Sequence, residues 1–221
     1  MRFKFLLATL MTLAIFSGVS RAEDLTDTVL RGFYQALGQY YGVPEREVIV
    51  IRDRRIPDDE IPVVLFIAKK ANVQPSAIYD LRLRGDSWND ITRHFGLSPE
   101  IYYVPARTVS GPPYGNAYGY YKNKPKNQWG TIRLDDSDVV NLVNLRFISD
   151  HYGYSPDRVI KMRSKGENFL AINEKIKHKK EMKEVRNRSN QADKEKGEHE
   201  YSKHGKQEHE KKEKHKGGKE D

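Results

Sequence analysis

The sequence contains no cysteine among its 221 residues. Without a thiol there is no disulfide framework, no lipid-anchored N-terminal cysteine, no covalently attached c-type haem and no thiolate zinc site. The fold must therefore be held together by its packed core. A nucleophile elbow, a phosphate-cradling glycine loop, a zinc-protease helix motif and a dinucleotide fingerprint are also missing. These absences predict a protein that is not an enzyme and that has no cofactor.

The sequence also has little excess charge outside its two ends. The chain carries a net charge of +8. Arg2, Lys4 and Arg21 supply three of those charges, and residues 177–221 contain 15 basic and 11 acidic side chains. Residues 23–176 are therefore close to neutral, at +1. Nucleic-acid partners are not expected, because the surfaces that bind them carry a concentrated excess of lysine and arginine.

The N-terminus has the pattern of a secretory signal peptide. A short basic start, Met1–Lys4, precedes the mostly apolar stretch Phe5–Val19, and Ser20–Ala22 offers a small-residue cleavage site. The alternative is an N-terminal membrane anchor, but the apolar run is short for a membrane span. We therefore expect residues 1–22 to be removed. The mature chain is expected to be periplasmic or secreted, without stable membrane insertion after cleavage.

One spacing of residue types occurs three times, beginning at Gly42, Asn72 and Gly153. Each start fits a helix C-cap, where the chain adopts a left-handed conformation at low cost. Without a gap in any copy, Val or Ile follows six positions later, Arg ten positions later and Ile nineteen positions later. These positions are Val48, Ile78 and Val159; Arg52, Arg82 and Arg163; and Ile61, Ile91 and Ile172. The spacing predicts three related helix-turn-helix-like units, two in residues 23–97 and the third in residues 136–177.

The repeat predicts which side chains are buried and where its recurring arginine lies. The residue six positions into each copy should be buried at an equivalent place. The recurring arginine is expected either to lie over its short helix and cap a carbonyl or to belong to a row of anion-binding arginines. Val63–Ile67, the most apolar part of the mature chain, is predicted to lie at the centre of the core. Asp58, Asp59 and Glu60 precede that run and are expected to favour a helix N-terminus.

The second copy, residues 67–96 with the sequence IAKKANVQPSAIYDLRLRGDSWNDITRHFG, resembles a helix-turn-helix. The resemblance implies tri-helical packing and, as an alternative function, DNA binding. A DNA-reading helix presents basic and polar side chains on its exposed face. Residues 87–94 contain one arginine and one acid, and the predicted export also disfavours this alternative.

Residues 98–135 interrupt the helical pattern with glycine and proline, and they are rich in tyrosine. A loop of this length inside a compact domain is usually functional or disordered. In one interpretation Ile101–Val104 and Gly130–Leu134 form short strands or clasps, and the tyrosines cover the helices. In the other, an exposed aromatic platform stacks on sugar or peptide, while Lys122, Lys124 and Lys126 contact acidic groups. The candidate partner-binding residues are Tyr114, Tyr118, Tyr120, Tyr121 and Trp129.

Residues 178–221 are dominated by Lys, Glu and His, with few apolar side chains. Such a segment buries too little surface to offset the entropy of ordering, so we expect a disordered tail beyond a helical extension to Arg188. Weak binding of a divalent metal is one hypothesis, because imidazole suits nickel, copper and zinc. The alternative is a solvated tail that contacts anionic envelope polymer or lipid head groups. The candidate metal ligands are His199, His204, His209 and His215.

The sequence therefore predicts an all-α protein. It has a small helical-repeat core, an irregular insert over residues 98–135 and a disordered charged tail. Its expected function is that of an exported, non-catalytic binding or structural protein of the cell envelope. We expect it to contact a protein or a polymer through the tyrosine-rich insert. A metal-binding or metal-sequestering role for the histidine-rich tail is the alternative from another class.

Overall fold

The computed structural model describes residues 19–109 and 111–191, with side chains from residue 27 onward. Within these residues the chain forms helices and no strand, which confirms the all-α class. Two 3-10 segments, Pro99–Tyr102 and Lys126–Thr131, and a final helical stretch over residues 169–191 accompany the α-helices. The α-helices are α1 (Val19–Tyr41), α2 (Glu45–Asp53), α3 (Ile61–Ala71), α4 (Pro75–Leu83), α5 (Trp88–His94), α6 (Gly115–Asn123), α7 (Asp136–Tyr152) and α8 (Pro156–Arg163).

The chain divides into two compact units, Met1–Glu174 and Lys175–Asp221. In the first unit, α7 is the central helix and contacts α1, α3, α5 and α8. A helix that contacts neighbours on several sides needs apolar side chains around most of its circumference. Residues 138–145 of α7 are accordingly all buried, polar Asn141 and Asn144 among them. Asn144 donates from Nδ2 to the carbonyls of Asp59 and Val140 and so ties α7 to the turn before α3.

Helix α3 supplies the most apolar surface of the core. Every side chain from Ile61 to Ala68 is buried, including the run Val63–Ile67 that the sequence places at the centre of the core. Pro62 stands in the first turn, where its missing N–H costs no helical hydrogen bond. The helix ends at Asn72 in the left-handed conformation, with φ of 57°. The left-handed residue ends α3 and leads the chain into α4.

The three segments with matching spacing share their local backbone and burial. Positive φ angles occur at both ends of each short helix, at Gly42 and Arg55, at Asn72 and Gly85, and at Gly153 and Gly166. The side chains six positions in, Val48, Ile78 and Val159, are all fully buried. These shared features are local, and the interpretation as copies of one repeat stays a prediction.

The recurring arginine caps a carbonyl in two of the three segments. Arg82 donates from Nη1 to the carbonyl of Asp86, and Arg163 donates from Nη1 to the carbonyl of Glu167. Each guanidinium also lies over the aromatic ring of the next helical segment. The distance to the ring centroid is 4.7 Å for Arg82 over Trp88 and 4.9 Å for Arg163 over Phe169.

The acidic run before α3 does not cap that helix with its side chains. Glu60 is the N-cap residue, but its carboxylate makes no capping hydrogen bond. It accepts instead from Nε and Nη2 of Arg82, at 2.9 and 2.8 Å. Asp58 accepts the hydroxyl of Tyr34 on α1. The acids therefore stand before a helix N-terminus as expected, but the carboxylates of Asp58 and Glu60 bind partners distant in sequence instead of capping the helix.

The insert is ordered by short helices. Ile101 lies in the first 3-10 segment and Gly130 in the second, so neither predicted strand forms. Helix α6 lies between them, in a stretch that glycine and proline had indicated to be irregular. The 3-10 segments contact each other, and the first also contacts α7. Helical turns satisfy their own backbone hydrogen bonds, so the insert needs no sheet partner.

The two ends of the chain are described only in part. Residues 1–18 of the predicted signal peptide lie outside the described residues, and α1 begins at Val19. In the part that the structure describes, no helix combines the length and apolar character needed to cross a membrane. Of the predicted tail, residues 178–191 are helical, three positions beyond the expected end at Arg188, and residues 192–221 are not described.

Candidate functional site

A cluster of four aromatic rings forms the surface of the insert. The ring of Tyr103 lies at its centre, 6.0 Å from Tyr118, 5.1 Å from Tyr121 and 4.7 Å from Trp129, measured between centroids. The rings meet at angles between 48° and 61°, which are tilted and edge-on arrangements that aromatic pairs favour. Tyr121 is buried, while the other three rings are half-buried. The cluster therefore has one face in the core and one open face.

Hydrogen bonds fix the polar ends of these rings. The indole N–H of Trp129 donates to the carbonyls of Tyr121 and Lys124, both at 3.1 Å. The hydroxyl of Tyr118 donates to the carbonyl of Val104 at 2.6 Å. Burial is the main cause that raises the pKa of Tyr118 above its ordinary value, so this hydroxyl keeps its proton at neutral pH. The rings are thus held in place before any partner arrives.

The open face of the cluster borders a groove of about 610 Å³. On α6, Gly115, Tyr118, Gly119 and Lys122 follow one another at helical spacing and line the same side of it. A Cβ atom added at Gly119 would meet nothing within 4 Å beyond its chain neighbours and the backbone of its own helix. The glycine therefore leaves real space above the rings. We call this the aromatic groove; its principal residues are Tyr103, Arg107, Tyr118, Gly119, Lys122 and Trp129.

A second trough of about 710 Å³ adjoins the aromatic groove, since Ala106 and Arg107 line both. The loop between the two is tied to the start of α8 by Asp157. One oxygen of that carboxylate accepts the backbone N–H groups of Arg107 and Thr108, each at 2.9 Å. These donors, that of Thr108 first, hold the pKa of Asp157 below its ordinary value. Asp157 is therefore ionised at neutral pH and clamps the loop that separates the two depressions.

The five predicted partner-binding residues fall in three different environments. Tyr118 and Trp129 line the aromatic groove with exposed ring surface. Tyr121 lines its base but is only 3 % exposed, and Tyr114 is 1 % exposed in the core. Tyr120 is 46 % exposed and is not among the groove residues. The structure therefore brings Tyr118, Tyr121 and Trp129 together and separates them from the other two.

Three of the groove residues were not singled out from the sequence. Tyr103 and Arg107 lie outside α6, and their place depends on how the loop folds back over it. Gly119 has no side chain to attract attention. A partial signal was present in the spacing of Tyr114, Ala117 and Tyr121, three and four positions apart, which predicts the buried face of a helix. Tyr118 lies at the edge of that face, and Lys122 and Gly119 follow farther round the helix.

Of the three lysines expected to meet acidic groups, only Lys122 lines the groove. Lys124 donates to the hydroxyl of Thr131 at 2.9 Å. Lys126 lies over the ring of Trp129, with Nζ 5.8 Å from its centroid. Arg107 is the other cation that lines the groove. Among the described residues, no Asp or Glu lines the aromatic groove, and its two cations, Arg107 and Lys122, outnumber the carboxylate of Asp157 beside Arg107.

The helix that would read DNA in a helix-turn-helix presents little to a base pair. Trp88, Asn89, Ile91 and Thr92 on α5 are buried. The exposed Arg93 donates to the carbonyls of Gly130 and Ile132, which joins α5 to the insert. The resemblance is thus accounted for by tri-helical packing, and nothing in this arrangement favours the DNA alternative.

The candidate metal ligands His199, His204, His209 and His215 all lie outside the described residues. Over residues 27–109 and 111–191, no three side chains of His, Asp or Glu form a group able to hold a metal ion. The metal hypothesis therefore stays a prediction about residues 192–221. Comparisons with protein-family models, with curated proteins and with solved structures found no match to this chain.

Proposed function

We propose that this protein is an exported, non-catalytic binding protein of the cell envelope and that it holds an acidic polysaccharide strand in the aromatic groove. The observation that carries the proposal is the groove itself: Tyr103, Tyr118 and Trp129 turn partly exposed rings toward an open volume of about 610 Å³. Because hydrogen bonds already fix Tyr118 and Trp129, binding would cost little side-chain entropy.

The charge of the groove favours an anionic partner. Arg107 and Lys122 are both exposed and line it. The carboxylate beside Arg107, that of Asp157, already accepts two backbone N–H groups, so the two cations outnumber it. Arginine presents a planar fork that matches a carboxylate, and lysine adds a mobile point charge. An acidic sugar unit fits this combination because its apolar C–H face packs on an aromatic ring while its carboxylate reaches a cation at the rim.

The loop beside the groove favours a sugar strand over an extended peptide. A peptide commonly binds a groove by pairing its backbone with an exposed extended segment. Here the consecutive N–H groups of Arg107 and Thr108 already donate to Asp157. The two donors best placed to pair with a peptide are therefore occupied. A sugar strand needs no such pairing, since its hydroxyls accept and donate in many directions.

The proposal is tested by titrating the mature chain, beginning at Glu23, with polygalacturonate, with neutral dextran and with polyglutamate. We expect polygalacturonate to bind more tightly than polyglutamate, and dextran not to bind. Gly119→Leu should block the groove, because the added side chain projects into space that is empty in the protein. Lys122→Glu should weaken binding on the order of tenfold or more by placing a like charge at the rim.

Two neighbouring substitutions serve as controls. Gly119→Ala adds only a Cβ atom and should keep binding, while improving helix propensity by about 0.5–1 kcal/mol. Tyr120→Ala removes an exposed ring on the same helix that does not line the groove, and it should leave binding unchanged. Preference for polyglutamate would reassign the partner to an acidic protein. Equal loss in Tyr120→Ala and Gly119→Leu, or no binding to any probe, would contradict the proposal.

A further inference from the structure

The positive charge of the chain is concentrated in one helical segment. Residues 22–174 contain 20 basic and 20 acidic side chains, and residues 192–221 contain nine of each. Residues 175–191, by contrast, contain seven basic and two acidic side chains. After the first 21 residues, the entire net charge of the chain therefore lies in these 17 positions. We call residues 175–191 the basic helix.

The basic helix is exposed to solvent along most of its length. Residues 175–191 are helical throughout, and every side chain from residue 178 to residue 191 is exposed. At 1.5 Å per residue the segment is roughly 25 Å long. A charge of +5 on so short an exposed rod creates a local field that attracts polyanions or anionic surfaces. A solvated helix of this kind more commonly balances its charges, as the rest of this chain does.

Two apolar side chains are exposed among these cations. Met182 and Val185 are each 59 % exposed and lie three positions apart, so they are neighbours on the helix surface. Lys179 precedes Met182 by three positions and Arg186 follows it by four, which places a cation on each side of the apolar pair along the axis. Of the two acids, Glu184 lies two positions from Met182 and points elsewhere, whereas Glu181 lies four positions before Val185 and is the one acidic neighbour of the apolar pair.

We propose that the basic helix binds the surface of an anionic lipid bilayer. Lysine and arginine lie at the level of the head groups, and Met182 and Val185 enter the boundary with the acyl chains. The combination of cations with exposed apolar side chains on one face is typical of helices that lie in a membrane interface. A soluble polyanion would be attracted by the same charges but would gain nothing from Met182 and Val185. The inference does not depend on the aromatic groove.

The test is cosedimentation of the mature chain with lipid vesicles. Residues 1–22 carry an apolar run of their own, so the chain begins at Glu23, which retains the whole described core from Phe33 onward. Vesicles of equal parts phosphatidylglycerol and phosphatidylcholine are compared with pure phosphatidylcholine. We expect binding to the anionic vesicles only, with affinity that falls as salt is raised.

Three pairs of substitutions separate the contributions. Lys179→Glu with Lys183→Glu should weaken vesicle binding more than about thirtyfold, since each lost cation removes about a fivefold gain and the two new carboxylates add repulsion. Met182→Ser with Val185→Ser should weaken it about fivefold without changing binding to heparin. Lys211→Glu with Lys212→Glu makes the same change in net charge outside the basic helix and should have much the smaller effect. Far-UV circular dichroism checks that helicity is kept, and Lys179→Gln with Lys183→Gln replaces the first pair if it is not.

Each other outcome overturns the inference. Equal losses in the Lys179/Lys183 and Lys211/Lys212 pairs would mean that only the overall charge matters. Unchanged vesicle binding in the Met182/Val185 pair would reassign the basic helix to soluble polyanions. Absence of binding to anionic vesicles would remove the membrane surface as a partner altogether.

Discussion

Arg82 holds Glu60 through two parallel hydrogen bonds, from Nε at 2.9 Å and from Nη2 at 2.8 Å. Both side chains are largely buried, at 19 % and 16 % exposed. The same guanidinium reaches Asp136 at the start of α7 and lies over the ring of Trp88. These hydrogen bonds raise the pKa of Arg82 above its ordinary value, that to Glu60 most. One side chain therefore joins α4, the turn before α3, α5 and α7.

Arg82→Met should lower the free energy of unfolding by about 2–3 kcal/mol, because it leaves the carboxylate of Glu60 buried without its cation. Urea denaturation monitored by circular dichroism measures the loss. The matched control is Arg52→Met at the corresponding position of the first segment. There the arginine is 47 % exposed and pairs with the neighbouring Asp53, so a change within about 0.5 kcal/mol is expected.

A second substitution decides whether the unpaired carboxylate causes the loss. Adding Glu60→Gln to Arg82→Met removes that negative charge and should restore part of the stability. If the double variant is no more stable than Arg82→Met, the arginine acts through its packing on Trp88, and the ion pair contributes little.

Two buried tyrosines of the insert make opposite predictions for the same substitution. The hydroxyl of Tyr121 donates to the carbonyl of Pro99 at 2.7 Å, whereas the buried hydroxyl of Tyr114 has no hydrogen-bond partner in the structure. Tyr121→Phe should therefore cost about 1–1.5 kcal/mol, and Tyr114→Phe should be neutral or slightly stabilising. Thermal melting of the two variants side by side tests this. A larger loss for Tyr114→Phe would show that its hydroxyl is satisfied, for example by a buried water.

The short helices and their ends follow from local chemistry, and this part of the fold was open to prediction. Gly42, Asn72 and Gly153 end helices in the left-handed conformation because glycine and asparagine tolerate it. Ser87 accepts the backbone N–H of Asp90 and donates to its carboxylate, as its position before α5 indicates. Arg82 and Arg163 cap the carbonyls of Asp86 and Glu167, which lie four positions later in the sequence. These contacts are therefore also local.

The insert and its groove depended on contacts that no local pattern contains. Helix α6 includes Gly115 and Gly119, which lower helix propensity, and it forms because Tyr114 and Tyr121 are buried by the rest of the fold. The aromatic composition indicated a cluster of rings. Which faces stay open depends on the path of the loop that carries Tyr103. Glu60 and Asp136 are 22 and 54 positions from Arg82, so its ion pairs could not be predicted either.

Asp138 should make stability depend on pH. Burial is the main cause that raises its pKa from 3.8 to about 6, the charge of Asp135 adds to the rise, and the backbone N–H of Asp135 opposes it. One of its carboxylate oxygens is buried without a hydrogen-bond partner. The folded state therefore binds the proton more tightly than the unfolded state. Stability is highest below about pH 4 for this group and falls as pH rises toward 6, by about 3 kcal/mol at most.

Asp138→Asn should remove most of this slope. Compared with the unsubstituted chain, the variant should gain more stability at pH 7 than at pH 4. Urea denaturation at a series of pH values measures the effect. Burial also raises the pKa of Asp59, so a smaller slope of the same sign should remain. The control is Asp80→Asn, at an exposed position, and it should leave the dependence of stability on pH unchanged. A slope that is the same in Asp138→Asn and in the unsubstituted chain would contradict the assignment.

The clamp made by Asp157 predicts a change in local dynamics without a change in global stability. In the structure the N–H groups of Arg107 and Thr108 both donate to the carboxylate of Asp157, and Asp157→Ala frees them. Amide hydrogen exchange at these two residues should accelerate on the order of tenfold, whereas the melting temperature should hardly move because the loop is at the surface. Asp157→Asn keeps an oxygen in the same place and should restore much of the protection.

Since the lowered pKa of Asp157 favours its ionised form in the folded state, the clamp should hold above pH 4 and weaken as pH falls through that lowered pKa. Exchange at Arg107 that is already fast in the unsubstituted chain would mean that the loop opens on its own, and the groove would then not be held in advance of its partner.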